Sequence, residues 1–184
     1  GINLTLLDSG ATVNVSHNIG GVASDSLTNI EGIKGSTTAS NTLIGNNMNN
    51  TLIGGNQTDI IKGVSGNNSL SGGAGNDTIF AGSGSDIIDG GAGNDTINVT
   101  NMSDLTSADI ITDTSGIDTL NINGSGTIAS SDFNVSGFEY LNLSTGADVV
   151  TFTDKSSFDT FKSKFSSAID TKGGNDEFTF SSQV

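Results

Sequence analysis

Aspartate and asparagine recur at a fixed interval in the middle of the chain: Asn41, Asn50, Asp59, Asn68, Asp77, Asp86 and Asp95 are each nine residues apart. Side chains of this kind offer hard oxygen donors and no thiolate, because the sequence contains no cysteine. Carboxylates and backbone carbonyls suit calcium, which takes about six to eight oxygens in flexible geometry. Magnesium prefers a tight octahedron and keeps its water. With a single histidine, His17, no soft ligand set for zinc can be assembled. His17 itself lies in TVNVSH, which alternates as a surface strand does.

The interval belongs to a longer repeat. Blocks of nine starting at residue 36 read STTASNTLI, GNNMNNTLI, GGNQTDIIK, GVSGNNSLS, GGAGNDTIF, AGSGSDIID and GGAGNDTIN, without a gap to Asn98. The eighth place is always Leu or Ile (Leu43, Leu52, Ile61, Leu70, Ile79, Ile88, Ile97), and Gly opens five of the seven blocks. Glycine enters positive-φ conformations and lets carbonyls approach an ion closely. The first six residues of a block therefore read as a turn able to wrap a cation. The last three read as a short strand with its central apolar residue inward. One inward residue per block buries no face alone, so the blocks must stack.

The pattern G-G-x-G-x-D-x-U-x resembles the RTX, or haemolysin-type, calcium-binding repeat. Blocks 72–80 and 90–98 match it at every defined place, block 81–89 has Ala81 for the first Gly, and blocks 36–71 are degraded. The resemblance implies an all-β fold, a parallel β-roll, with successive turns on alternate sides and several calcium ions between stacked turns. One side would carry Asp59, Asp77 and Asp95. The other would carry Asn68, Asp86 and then Asp104. The best site is expected between turns 72–77 and 90–95. Asp77 and Asp95 would give carboxylates there, and the carbonyls of Gly72, Ala74, Gly90 and Ala92, with their neighbours Gly73, Gly75, Gly91 and Gly93, would complete the shell. Gly82, Gly84 and Asp86 form the corresponding turn opposite. The Asp59–Asp77 and Asp86–Asp104 gaps are further candidates. The Asn-bearing turns stay open between binding an ion and being plain solenoid turns.

Three regions follow: residues 1–35 with strands and a degenerate repeat (GGVASDSLT at 20–28), the seven-block roll at 36–98, and an irregular continuation and cap at 99–184. Strands are expected at 2–7 and 12–16. Downstream, SADIIT places Asp109 before Ile111, and Asp118, Asp148 and Asp176 recur in Gly-x-Asp units that lack the leading Gly pair, with ion binding left open. Eight of the nine Phe lie after residue 132, marking a different core that caps the last coil. A helix is expected over about 156–170, capped by Ser156 or Ser157, with Phe158, Phe161, Phe165 and Ile169 on one stripe. The stripe can pack on the roll or serve as a docking face.

Twenty acidic residues against six basic ones give a net charge of −14. Such a surface repels nucleic acid and anionic lipid. No apolar run is long enough to span a bilayer. No G-x-S-x-G, H-E-x-x-H, P-loop or EF-hand pattern occurs, so no catalytic residue is assigned and no enzyme is expected. The chain opens in a strand-like stretch, INLTLL, and is expected to be a piece of something larger. The family resemblance implies type I export from a Gram-negative bacterium, folding on calcium outside, and partnership with the export machinery. The Ser/Thr/Asn-rich composition and the phrase VSGFEYLNLSTGAD suggest a surface-layer protein that self-associates in a lattice. The alternative is the C-terminal module of a secreted protease, lipase or toxin.

Overall fold

Consecutive nonapeptides alternate between two parallel sheets, so each strand pairs with the strand two blocks away. The computed structural model describes residues 3–7, 24–28, 32–153 and 155–180. In the first sheet Thr42–Ile44, Ile60–Lys62, Thr78–Phe80 and Thr96–Val99 lie side by side, with Leu43, Ile61, Ile79 and Ile97 in register. In the second, Thr51–Gly55, Ser69–Ala74 and Ile87–Ala92 do the same through Leu52, Leu70 and Ile88. All seven of these inward residues are at most 1% exposed. This is the all-β logic of a parallel solenoid: the pleat turns every second side chain inward, and stacking turns those single residues into a continuous core.

The stacking crosses both boundaries drawn from the sequence. Asn3–Leu7 pairs with Thr42–Ile44 and with Ser24–Thr28, while Gly32–Lys34 joins Thr51–Gly55. The expected strand at 12–16 and His17 lie outside the described residues. Downstream, Thr119–Ile122, Phe138–Asn142 and Phe165–Asp170 extend the first sheet, and Ile110–Thr112 and Val135–Ser136 extend the second. A third parallel sheet of Gly126–Ala129, Asp148–Phe152 and Glu177–Phe180 opens beside them. Side-chain amides continue the stacking on the strand faces: Asn142 Nδ2 donates to Asn121 Oδ1 (2.8 Å), and Asn121 Nδ2 to Asn98 Oδ1 (3.0 Å). Among the described residues no helix is long and apolar enough to cross a membrane.

Two expectations are corrected. The period puts position six of the coil after Asp95 at Asp104, but Asp104 lies in a 3-10 turn, Met102–Asp104, where it accepts a hydrogen bond from Asn101 Nδ2 (2.8 Å). The cause is a five-residue insertion that carries its own apolar anchors. Val99, Met102 and Leu105 are 1–3% exposed, so burying them takes precedence over keeping the nine-residue period. The register resumes 23 residues on, with Ile88 beside Ile111 and Ile97 beside Leu120.

The helix is also shorter than expected, Lys155–Lys162. Phe165–Asp170 instead forms a strand on the edge of the first sheet, with Leu141 beside Ile169. Phe165 and Ile169 are four apart, a spacing that shares a face in a helix and equally in a strand. The sheet edge offers Phe165–Asp170 backbone partners, while Ser166, Ser167 and Ile169 are only middling helix formers. Phe161 remains in the core, edge-on to Phe133 (4.7 Å between centroids) and Phe165 (5.6 Å), with Phe152 near Phe158 (5.1 Å). These rings fill the end of the molecule where the small repeats have given out.

Candidate metal centre

Every sixth-position side chain of the first-sheet turns points into the wall of the roll. Asn41, Asp59, Asp77, Asp95 and Asp118 form one column, each at most 3% exposed. Their placement follows from the period: eighteen residues, or twenty-three across the insertion, bring each to the same spot one coil on. One carboxylate oxygen is used up structurally. Asp59 Oδ1 accepts the Asn41 N–H (2.5 Å), Asp77 Oδ1 that of Asp59 (2.7 Å), Asp95 Oδ1 that of Asp77 (2.7 Å), and Asp118 Oδ1 that of Asp95 (2.8 Å). Glu139 Oε2 ends the column on the Asp118 N–H (2.7 Å).

The other oxygen has no partner. Oδ2 of Asp59, Asp77, Asp95 and Asp118 is buried and makes no hydrogen bond. A charged group buried unsatisfied costs more than the roughly 1–3 kcal/mol of a neutral one, whereas a single hydrogen bond returns a net of about 0.5–1.5 kcal/mol. The bond to Oδ1 therefore does not offset the exposed need at Oδ2.

These oxygens converge on a shared cradle. A Cβ built on Gly72 would overlap both Asp77 Oδ2 and the Gly90 carbonyl oxygen. One built on Gly54 would overlap Asp59 Oδ2 and the Gly72 carbonyl. The absence of a side chain at the first position thus leaves a small oxygen-lined space in each gap. The residues present fit calcium: hard donors, negative charge, and an orphaned oxygen aimed at the space. Asp77 and Asp95 would hold the ion in the 72–95 gap with the Gly90 carbonyl, and Asp59 and Asp77 with the Gly72 carbonyl in the gap before it. Gly73 lies beside Gly91 and Ala74 beside Ala92 in the register, and the Ala92 carbonyl accepts the Gly75 N–H (2.8 Å). Gly91 and Gly93 hold φ of 108° and 130°, which lets these turns lie directly on the coil before them.

The electrostatics agree. Burial pushes the Asp77 carboxyl up to about 7, with the charges of Asp95 and Asp59 adding to the rise. Burial also raises Asp59, Asp95 and Asp118. A stack of carboxyls that resists ionisation is one that lacks a countercharge.

The second-sheet turns are built differently. Asn50, Asn68, Asp86 and Asp109 form their column, with Asp86 donating its N–H to Asp109 Oδ1 (2.6 Å). Asp109, and not Asp104, therefore stacks on Asp86, while Gly82 and Gly84 lie against Val64 and Gly66 of the preceding turn. Asn68 Nδ2 donates to the Gly66 carbonyl and to Asp86 Oδ1, both at 3.0 Å. Asn50 Nδ2 donates to Asn46 Oδ1 (3.1 Å). Asp109 Oδ2 accepts the Thr106 N–H (2.7 Å) and hydroxyl (3.0 Å). Among the described residues, no sixth-position carboxylate of this column has a buried oxygen left without a partner. Burial still raises Asp86 to about 6, with Asp109 and Asp104 adding to it. In the third sheet Asp148 and Asp176 share a column, the Asp148 N–H donating to Asp176 Oδ1 (3.0 Å), and the Ser144 hydroxyl satisfies Asp148.

Comparison with known families bears on the same segment. Residues 36–70 and 62–97 match the family model of the RTX calcium-binding nonapeptide repeat, four copies of which are recognised. Residues 36–97 carry RTX repeats, and the parallel solenoid they form is an RTX β-roll. No curated protein and no solved structure matches it. The RTX match ends at residue 97, before the insertion, so the coils built on Asp109, Asp118 and Asp148, expected from isolated units of the sequence, lie outside it. The sequence signal for Asp109 was its place two residues before Ile111; nothing in the motif drew attention to Asp113, whose carboxylate enters the first column from position one.

Proposed function

We propose that this RTX chain is a non-catalytic, calcium-dependent structural module of a secreted bacterial protein. It is loose where calcium is scarce and ordered where calcium is plentiful, and it forms part of a surface-layer protein. The observation that carries this reading is the buried column of carboxylates, each with one oxygen satisfied and one without a partner. Calcium, when bound, supplies the positive charge that this column lacks. The chain supplies the rest: glycines that clear the space, carbonyls that line it, and strands that fix the spacing of the carboxylates. Binding energy then becomes folding energy, because the gaps do not exist in the unfolded chain. Sites in extracellular modules commonly bind in the range of about 0.1–1 mM, which separates the inside of a cell from its surroundings.

The surface-layer reading is supported by the acidic, Cys-free, Ser/Thr/Asn-rich composition. Type I export from a Gram-negative cell, with its machinery as partner, is what RTX repeats typically accompany. Circular dichroism titrated with calcium tests the module: a coil-to-β transition is expected that magnesium does not reproduce, and a spectrum unchanged by chelation overturns it. Negative-stain images of the full-length parent with calcium test the assembly. A regular lattice is expected, whereas a catalytic domain bearing H-E-x-x-H or G-x-S-x-G upstream would make the chain a module of a secreted enzyme.

A further inference from the structure

At the seam where the regular repeats end, the turn 113–118 reads D-T-S-G-I-D and stacks on the turn 90–95, G-G-A-G-N-D. The register is fixed on both sides of the turn. Ala92 bridges to Ser115, the Gly93 N–H donates to the Ser115 carbonyl (2.8 Å), and Thr96 lies beside Thr119. Position one, a glycine in the turns 54–59, 72–77 and 90–95, is therefore Asp113.

We propose that Asp95, Asp113 and Asp118 form a three-carboxylate calcium site in this gap, and that it is the tightest cation site of the roll. The inference rests on the calcium-binding reading above and adds to it a ligand that lies outside the repeat motif. One oxygen from each of the three carboxylates lies within 4.8 Å of the others. Asp95 and Asp118 are 1% exposed and Asp113 8%, and Oδ2 of all three is buried without a partner. Asp113 is held in place by its other oxygen, which accepts the Thr114 N–H (2.7 Å). Its Oδ2 then reaches the space beside Gly90. A Cβ built on Gly90 would overlap that oxygen and would lie 3.0 Å from Asp95 Oδ2. Two carboxylate oxygens thus enter the space that in the 72–95 gap receives one carboxylate oxygen and one carbonyl. Asp89 Oδ1, a further buried oxygen without a partner, adds negative charge nearby. Affinity for calcium rises with the number of charged ligands, so a gap with three carboxylates outranks those with two.

Calorimetric titration of the full chain with calcium chloride tests this. The wild-type chain should show one ion bound at least about tenfold more tightly than the rest. Asp113→Gly restores the residue of the repeat, and Asp113→Asn keeps the shape while removing the charge. Both should abolish the tight class and leave the weaker sites and the β spectrum at saturating calcium intact. With europium as probe, the luminescence lifetimes in light and heavy water should report more bound water at this site in Asp113→Asn. A tight class that survives both substitutions overturns the three-carboxylate site while leaving calcium binding by the repeats standing. A wild-type chain that takes up no calcium at all overturns the reading beneath it.

Discussion

Asn68 and Asp77 occupy the same place in consecutive turns, and their side chains differ by an NH2 group against an oxygen. Beside Gly63, a built Cβ would lie 2.9 Å from Asn68 Nδ2; beside Gly72, the corresponding atom would overlap Asp77 Oδ2. The same space is thus faced by a donor in one turn and by an acceptor in the next. The amide spends its protons on the Gly66 carbonyl and on Asp86 Oδ1. The matching oxygen of the carboxylate, Asp77 Oδ2, finds nothing. An asparagine turn carries its own positive end, and an aspartate turn must import one. The asparagine turns at Asn50 and Asn68 are therefore expected to stand without an ion, while the first-sheet coils from Asp59 to Asp118 are expected to depend on one.

The largest effect that would break this contrast is at Asp77, which serves two gaps. Asp77→Ala should raise the calcium midpoint of folding several-fold, and Asp77→Asn should lower the number of bound ions while leaving the calcium-free chain more ordered than wild type. Circular dichroism with and without chelator reads both; an Asn variant as loose as the Ala variant would refute the idea that an amide replaces the ion.

Next in size is the converse change. Asn68→Asp should reduce order in chelator and add about one calcium to the stoichiometry seen by calorimetry. An unchanged ion count would mean that the second-sheet turns lack more than charge.

A smaller effect is expected from pH. Asp77 and Asp113 sit near 7 in the folded chain and Asp86 near 6, all above the unfolded value near 3.8. The folded chain then holds more protons than the unfolded one between about pH 4 and 7. Without calcium, this contribution to stability is fully present below pH 4 and is lost as pH rises through about 7. With calcium the trend reverses, because the ion and the protons compete for the same oxygens. Melts in chelator should show a falling midpoint from pH 5 to 8, and calcium titrations should show tightening over the same range. The smallest effect is expected from Asp104→Ala and Asp132→Ala, which stand outside both columns. Each should shift the calcium midpoint far less than Asp77→Ala.

The roll was legible because two kinds of residue repeat together. Leu43 through Ile97 mark the core and Asn41 through Asp95 mark the wall, and every one of them is buried where the period puts it. The stacking partner of Asp86 was not legible. It depends on how many residues the chain spends between Val99 and Leu105, and that number is set by burying Met102 rather than by any motif. Asp113 escaped for a related reason: at position one the motif expects glycine, so a ligand there reads as a degraded repeat. The end of the helix was hidden because Phe165 and Ile169 fit both a helix and a strand, and only the neighbouring Phe138–Asn142 edge decides between them.

The hydrogen bonds along the carboxylate column all run one way. Each acid grips the backbone of the coil that precedes it in sequence, as Asp95 does with Asp77 and Asp118 with Asp95. A settled coil therefore presents a side-chain clasp to its N-terminal neighbour, whereas the coil that follows meets backbone carbonyls, those of Asp77 and Asp95 accepting the Thr96 and Thr119 N–H groups (both 2.9 Å). The side-chain bonding of this ladder thus has a built-in direction, from Glu139 back toward residue 41.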